Sequence, residues 1–247
     1  MTESSSQLPA SPTNANFATT QWNVVLAAAQ SHTPGALDAL TQLCRNYWPP
    51  LYAFARRQGL GPHDARDLVQ GFFESLLATR TYANATPTRG KFRSFLIGGL
   101  KHFQNDQRER ANAQKRGGGA PVIPLDENIA ESLYAADCGT PTPEKAFERQ
   151  WAFTVIEHAL ASLRDEFAAA GSAAIYDTMA PFLTGNDLQT SDAAAQSLGL
   201  TPSAFKSQLH RLRQKFRIHL RRQIASTIDD PLEIDDEMQF LRNVLNG

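Results

Sequence analysis

The stretch from Asp192 to Arg213 restricts the fold of this chain more than any other. Small residues Ala193, Ala194 and Ala195 lead to Gly199, and Thr201 and Pro202 follow at once. Threonine caps helix N-termini and proline suits the first helical turn, so a new helix is expected to begin there. A short helix of small residues, a glycine turn and a capped second helix together predict a helix-turn-helix. On the second helix Leu209, Leu212 and Phe216 fall within about 40° of Phe205, by the 3.6-residue period. They form a core stripe.

The opposite side of that helix carries Ser203, Ser207, His210, Arg211 and Gln214, with Lys206, Arg213 and Arg217 on its flanks. In a major groove, Arg211 matches the paired acceptors of guanine and Gln214 matches adenine, while flanking cations meet phosphates. The alternative is a helical hairpin with a solvated basic face. Cap, turn and face chemistry agree on groove binding.

Charge patterning adds a second basic segment. The net charge of -1 conceals +6 between Arg89 and Arg116 and +7 between Lys206 and Arg222, which leaves -14 for the rest. Two basic segments on an acidic body point to two contacts with a polyanion. In the first segment Phe92, Phe95 and Phe103 interleave with Arg93, Lys101, Asn105, Arg108 and Arg110. That mixture suits a held backbone and unstacked bases, although aromatics at this spacing also serve as core.

No stretch alternates apolar and polar residues over a strand's length, and Pro, Gly, Ser and Asn act as punctuation. The expected fold class is all-α: two small helical domains joined by a flexible linker, the second containing the helix-turn-helix. Residues 1–18 are expected to be a disordered tail, with a short helix at about 20–30. The first domain covers 19–116. Within it a stripe from Leu37 to Phe54 is interrupted by Pro49 and Pro50, where a kink or restart is expected. A second helix from Asp64 turns Ala65, Leu68, Val69, Phe72 and Leu76 inward, and its outward side mixes Asp67, Gln70 and Glu74 with the flanking Phe73 and Leu77. A third runs from 91 to 114, with Phe92, Leu96, Leu100 and Phe103 inward.

Residues 117–143 read as an acidic, Gly/Pro-containing linker. The second domain spans 144–225, with helices at about 144–168, 172–183 and 202–222. An acidic extension, 226–247, places Ile234, Met238, Leu241 and Leu245 on one side of a helix packed against a neighbour.

Both segments together resemble a bacterial sigma factor of the extracytoplasmic-function type, within the sigma-70 family. The resemblance rests on Thr19, Thr20 and Trp22; on Asp64, Ala65, Asp67, Leu68 and Gln70 with Phe73 after them; and on Phe92, Arg93, Phe95 and Leu96. It continues through Lys115 to Gly119, Ala195 to Gly199, Phe205 to Ser207 and His210 to Arg213. It covers most of 19–245. The usual Leu-Pro entry to the second domain is absent, with Leu163, Arg164 and Asp165 in its place.

The resemblance implies that core RNA polymerase docks on Asp64, Asp67, Leu68, Gln70, Phe73 and Glu74. It implies that Phe92, Arg93, Lys101, Asn105, Arg108 and Arg110 meet the melted -10 element of promoter DNA. Ser203, Lys206, Ser207, His210, Arg211, Arg213, Gln214 and Arg217 would then read the -35 element as duplex. An anti-sigma factor or other regulatory protein is a further partner of this class.

A helix-turn-helix regulator acting without polymerase is the rival reading, and it leaves the first basic helix without a role. Catalysis finds no anchor. Gly90 and Lys91 precede Phe92 and lack the upstream glycine of a phosphate loop, and the six histidines are dispersed without metal-ligand spacing. No cofactor, metal site or catalytic residue is expected. Cys44 and Cys138 form no spaced cluster. The first sixteen residues lack a secretory layout and the apolar stretches are short, so a cytoplasmic chain with no membrane contact is expected.

Overall fold

The computed structural model describes residues 34–79, 91–113, 142–184, 190–228 and 230–246. All regular structure among them is helical: α1 (Pro34–Arg57), α2 (Pro62–Thr79), α3 (Phe92–Ala113), α4 (Pro143–Ala169), α5 (Ala173–Met179), α6 (Pro181–Thr184), α7 (Ser191–Ser197), α8 (Pro202–Ala225) and α9 (Ile234–Asn246), with a 3-10 turn at Pro231–Glu233. The expected N-terminal tail, the helix at 20–30 and the linker up to residue 141 lie outside the described residues. None of the described helices is long and apolar enough to cross a membrane.

Local chemistry accounts for the helix boundaries. Thr142 Oγ1 accepts from the Lys145 amide at 3.2 Å and Pro143 takes the first position, which starts α4. Gly171, at φ +68°, ends it: the Ser172 amide returns to the Phe167 carbonyl at 2.8 Å and the Gly171 amide to Ala168 at 3.0 Å. The expected helix at 172–183 is divided. Pro181 has no amide to offer the carbonyl of Asp177, so α5 stops and α6 starts at the proline.

Of the expected kink or restart, a restart does not occur: α1 runs as one helix through Pro49 and Pro50. Each proline removes a donor at a cost of about 3 kcal/mol. Tyr47, Trp48, Leu51 and Phe54 are all buried around them. Burial of each such side chain contributes about 1.5–3 kcal/mol, enough in sum to hold the helical path.

The larger hydrophobic cluster draws Tyr47, Leu51 and Phe54 from α1, Val69 and Phe72 from α2, and Phe92, Leu96 and Leu100 from α3. It continues without a break into Phe147, Trp151 and Val155 of α4, Leu220 and Ile224 of α8, and Met238 and Leu241 of α9. The smaller cluster joins Leu163, Tyr176 and Met179 to Ala194, Ala195, Phe205, Leu209 and Leu212. Helix α4 therefore belongs to both. The seam between the clusters falls within α4 and α8.

Between α7 and α8 the chain reverses at Gly199, whose φ is +65°. The Leu200 amide bonds the Ala195 carbonyl at 2.9 Å and the Gly199 amide bonds Gln196 at 3.0 Å, the pair of bonds that closes a helix on a left-handed residue. Thr201 Oγ1 then accepts from the Ala204 amide at 3.2 Å, and Pro202 opens α8. Ala194 and Ala195, both buried, let α7 lie close to α8. A methyl group on residue 199 would meet nothing within 4 Å, so only the backbone conformation penalises it. Gly199→Ala is expected to destabilise the chain by about 1–2 kcal/mol in urea unfolding.

Candidate nucleic-acid interface

Helix α8 presents two different electrostatic surfaces along its length. In its first four turns Phe205, Leu209 and Leu212 are buried, and Ser203, Lys206, Ser207, His210, Arg211, Arg213, Gln214 and Arg217 are all exposed. This is the face expected from the sequence. Gln214 Nε2 lies 2.9 Å from His210 Nε2, which couples two candidate base-reading groups, and Arg213 reaches sideways to the Phe182 carbonyl at 3.4 Å. Lys206 and Arg211 form no salt bridge among the described residues, and Arg217 is within electrostatic reach of Asp235 without bonding it. A cationic helix face without bonded counter-charges remains available to an external polyanion.

From Lys215 onward, other basic side chains of α8 are paired from within the chain. Lys215 and His219 both engage Glu166 of α4, and Arg221 pairs with Asp235 of α9. Hydrogen bonds from Lys215 first, then His219, hold the Glu166 carboxyl below the usual glutamate range. Arg221 does the same for Asp235.

His219 also lies 2.9 Å from Ser162 Oγ through Nδ1, with Nε2 2.7 Å from Glu166. The order serine, histidine, carboxylate imitates a hydrolytic triad. Ser162 lies inside a 27-residue helix, where neighbouring amides are engaged in intrahelical bonds and offer no oxyanion hole. The chain of bonds fastens α4 to α8. Burial pushes the free thiol of Cys44 up to about 12, which keeps it protonated and unreactive.

The first basic segment departs from expectation at its start. Lys101, Asn105 and Arg108 are exposed on α3, with Lys101 bonded to Glu144 at 2.8 Å. The Arg110 side chain lies outside the described residues. Phe92 is fully buried, edge-on to Tyr47 at 5.4 Å and beside Phe95 at 5.8 Å. Arg93 is also buried, its guanidinium against the adjoining rings of Trp151 (4.7 Å) and Phe240 (4.5 Å). Its charge is met by Glu237 of α9, which is wholly buried and also engages Lys91. Phe92 and Arg93 are thus not on an open interface in this arrangement. An anion and a ring from the far end of the chain cover the arginine.

Glu237, Trp151 and Phe240 were not among the expected site residues. A signal for the first existed: with Ile234 at zero on the helical wheel, Glu237 falls at about -60°, at the edge of the stripe formed by Met238, Leu241 and Leu245. An acid at the margin of an apolar stripe calls for a buried cation.

On α2, Asp64 and Asp67 are exposed, and Gln70 donates to Glu74 at 3.0 Å, both half-buried. Leu68 and Phe73 are buried, so the outward placement of Phe73 is corrected. Its ring packs inward at 6.4 Å from Trp48 and 5.6 Å from Phe72, because α1 supplies an aromatic surface that the wheel of α2 alone does not reveal. Asp64, Asp67 and Leu68 line an open cleft of about 330 Å³ together with Leu60, Gln104, Gln107 and Arg108. That cleft joins the acidic edge of α2 to the polar side of α3.

No family model, curated protein or solved structure matches the chain.

Proposed function

We propose that this chain is a promoter-specificity subunit of bacterial RNA polymerase, a sigma factor of the extracytoplasmic-function type. The observation that carries the proposal is the exposed basic face of α8 behind the Gly199 turn. Arg211, His210 and Gln214 offer donors to base edges there, and Lys206, Arg213 and Arg217 flank them for phosphates. On this reading α7 and α8 are the helix-turn-helix, and α8 reads the -35 element as duplex DNA. Lys101, Asn105 and Arg108 of α3 approach the melted -10 strand. Asp64 and Asp67, at the rim of the cleft, meet a basic surface of core polymerase.

Copurification and transcription test it. The chain should associate with core polymerase and direct initiation from a restricted set of genomic sites. Asp67→Arg should weaken association at least about tenfold while leaving thermal unfolding unchanged, since an exposed charge contributes to a partner more than to the fold. Unaltered copurification of that variant counts against the docking face.

Burial of Phe92 and Arg93 favours one second reading, a helix-turn-helix regulator that binds DNA without polymerase. It uses the same α8 face. Tight sequence-specific binding by the chain alone, with no initiation on adding core polymerase, would select it.

A further inference from the structure

We infer that α9 is an intramolecular latch that withholds Lys91 and Arg93 from nucleic acid, with the Glu237 carboxylate occupying the position of a backbone phosphate. The inference deepens the sigma-factor reading and rests on it only for the step at which the latch opens.

The contact has the chemistry of anion recognition. One carboxylate with no exposed surface takes both the ammonium of Lys91 and the guanidinium of Arg93, with a second Arg93 nitrogen at 3.4 Å from its other oxygen. A planar guanidinium beside an ammonium is also what grips a phosphodiester. Phe240, on the same helix as Glu237, lies over Arg93 at 4.5 Å and within 5.7 Å of Lys91, and the neighbouring ring of Trp151 lies 4.7 Å from Arg93. The second tie runs from Asp235 to Arg221, on the helix that carries the candidate duplex-reading face. A single acidic helix therefore holds cations of both basic segments.

The hold combines charge with an apolar side that is mostly half-buried. Met238 and Leu241 are buried and Ile234, Phe240, Val244 and Leu245 pack half-buried against the core, whereas α4 fully buries larger side chains such as Phe147 and Trp151. Buried ion pairs add little net stability but fix one arrangement against others, because the charge left behind by a lost partner must return to water. Neutralising Glu237 should therefore release α9 locally. Lys91 and Arg93 would then face solvent at the start of the helix assigned to the melted strand.

The test uses the full-length chain and Glu237→Gln. Amide hydrogen exchange over 234–246 reports release of α9, and anisotropy of a fluorescein-labelled single-stranded oligonucleotide reports DNA binding. Release should raise affinity at least about tenfold, as expected when a state closed more than about nine-tenths of the time becomes open. The slope of log affinity against log salt should steepen by about 1.4, for two further phosphate contacts at about 0.7 each on single strands. A brace with only a structural role would leave that slope unmoved.

Unchanged exchange over α9 overturns the inference, and so does faster exchange with unchanged affinity and slope. Should Glu237→Gln fail to fold by circular dichroism, Phe240→Ala, which keeps the carboxylate and removes the ring over Arg93, is judged by the same two readouts. Transcription with core polymerase separates the layers. A shift in affinity without promoter-directed initiation by either protein upholds the latch and rejects the sigma-factor reading. Initiation by both proteins without any shift does the reverse.

Discussion

Phe147→Ala is expected to lower the stability of the whole chain by about 3–5 kcal/mol, the usual cost of emptying a buried phenylalanine site. Its side chain is fully buried on α4, and its ring stacks on Tyr47 of α1 at 6.5 Å. Tyr47 in turn meets Phe92 of α3 at 5.4 Å. One truncation therefore loosens three helices that are far apart in sequence. A small domain has only about 5–15 kcal/mol in hand, so the loss is a large share of the total. Urea unfolding followed by far-UV circular dichroism and by fluorescence of Trp48 and Trp151 checks the result. Because α4 contributes to both clusters, the two signals should shift together as one transition. Separate transitions, with only one displaced by the substitution, would mean that the segments before and after the linker fold independently.

That experiment bears on what the sequence reveals and what it hides. Periodicity identifies the buried side of each helix well: Leu96 and Leu100 on α3, Trp151 and Val155 on α4, and Phe205, Leu209 and Leu212 on α8 are all buried as expected. The Gly199 turn with the Thr201 cap was legible because both depend on residues within five positions of one another. The exposed α8 face follows from the same local geometry.

What was not legible depends on partners distant in sequence. The wheel of α3 puts Arg93 next to Phe92 and says nothing of Trp151, Glu237 and Phe240, which approach from α4 and α9. Phe73 read as outward for a related reason, since the surface that receives it belongs to Trp48 of α1. Pro49 and Pro50 read as an interruption because the local rule prices the missing donors without the burial of Tyr47, Trp48 and Leu51 around them. Charge sums carried part of this information. The -14 outside the two basic segments required acids to lie somewhere, and Glu144, Glu166, Asp235 and Glu237 turn out to face cations of those segments.

The same distribution sets the second large effect, on duplex DNA. Replacing Lys206, Arg211, Arg213 and Arg217 together with glutamine is expected to lower affinity for a duplex selected from genomic fragments by at least about ten-thousandfold. A bidentate arginine-guanine contact contributes about 1–3 kcal/mol and a hydrogen bond to a charged group about 1.5–3 kcal/mol, so losing one base contact and three phosphate contacts removes at least about 5.5 kcal/mol. The fold should survive, since all four side chains are exposed and only Arg213 gives up a bond, the 3.4 Å contact with the Phe182 carbonyl. Salt titration by fluorescence anisotropy distinguishes the roles within the set. Removing the three flanking cations should flatten the slope by about 2.7, at about 0.9 per phosphate on duplex DNA. Arg211→Ala alone should leave the slope nearly intact and relax the preference at one base pair by about 1–3 kcal/mol. If the fourfold variant kept its duplex affinity, the remaining cations Lys215, Arg221 and Arg222 of α8 would have to carry the binding, and Glu166 and Asp235 would first have to release Lys215 and Arg221.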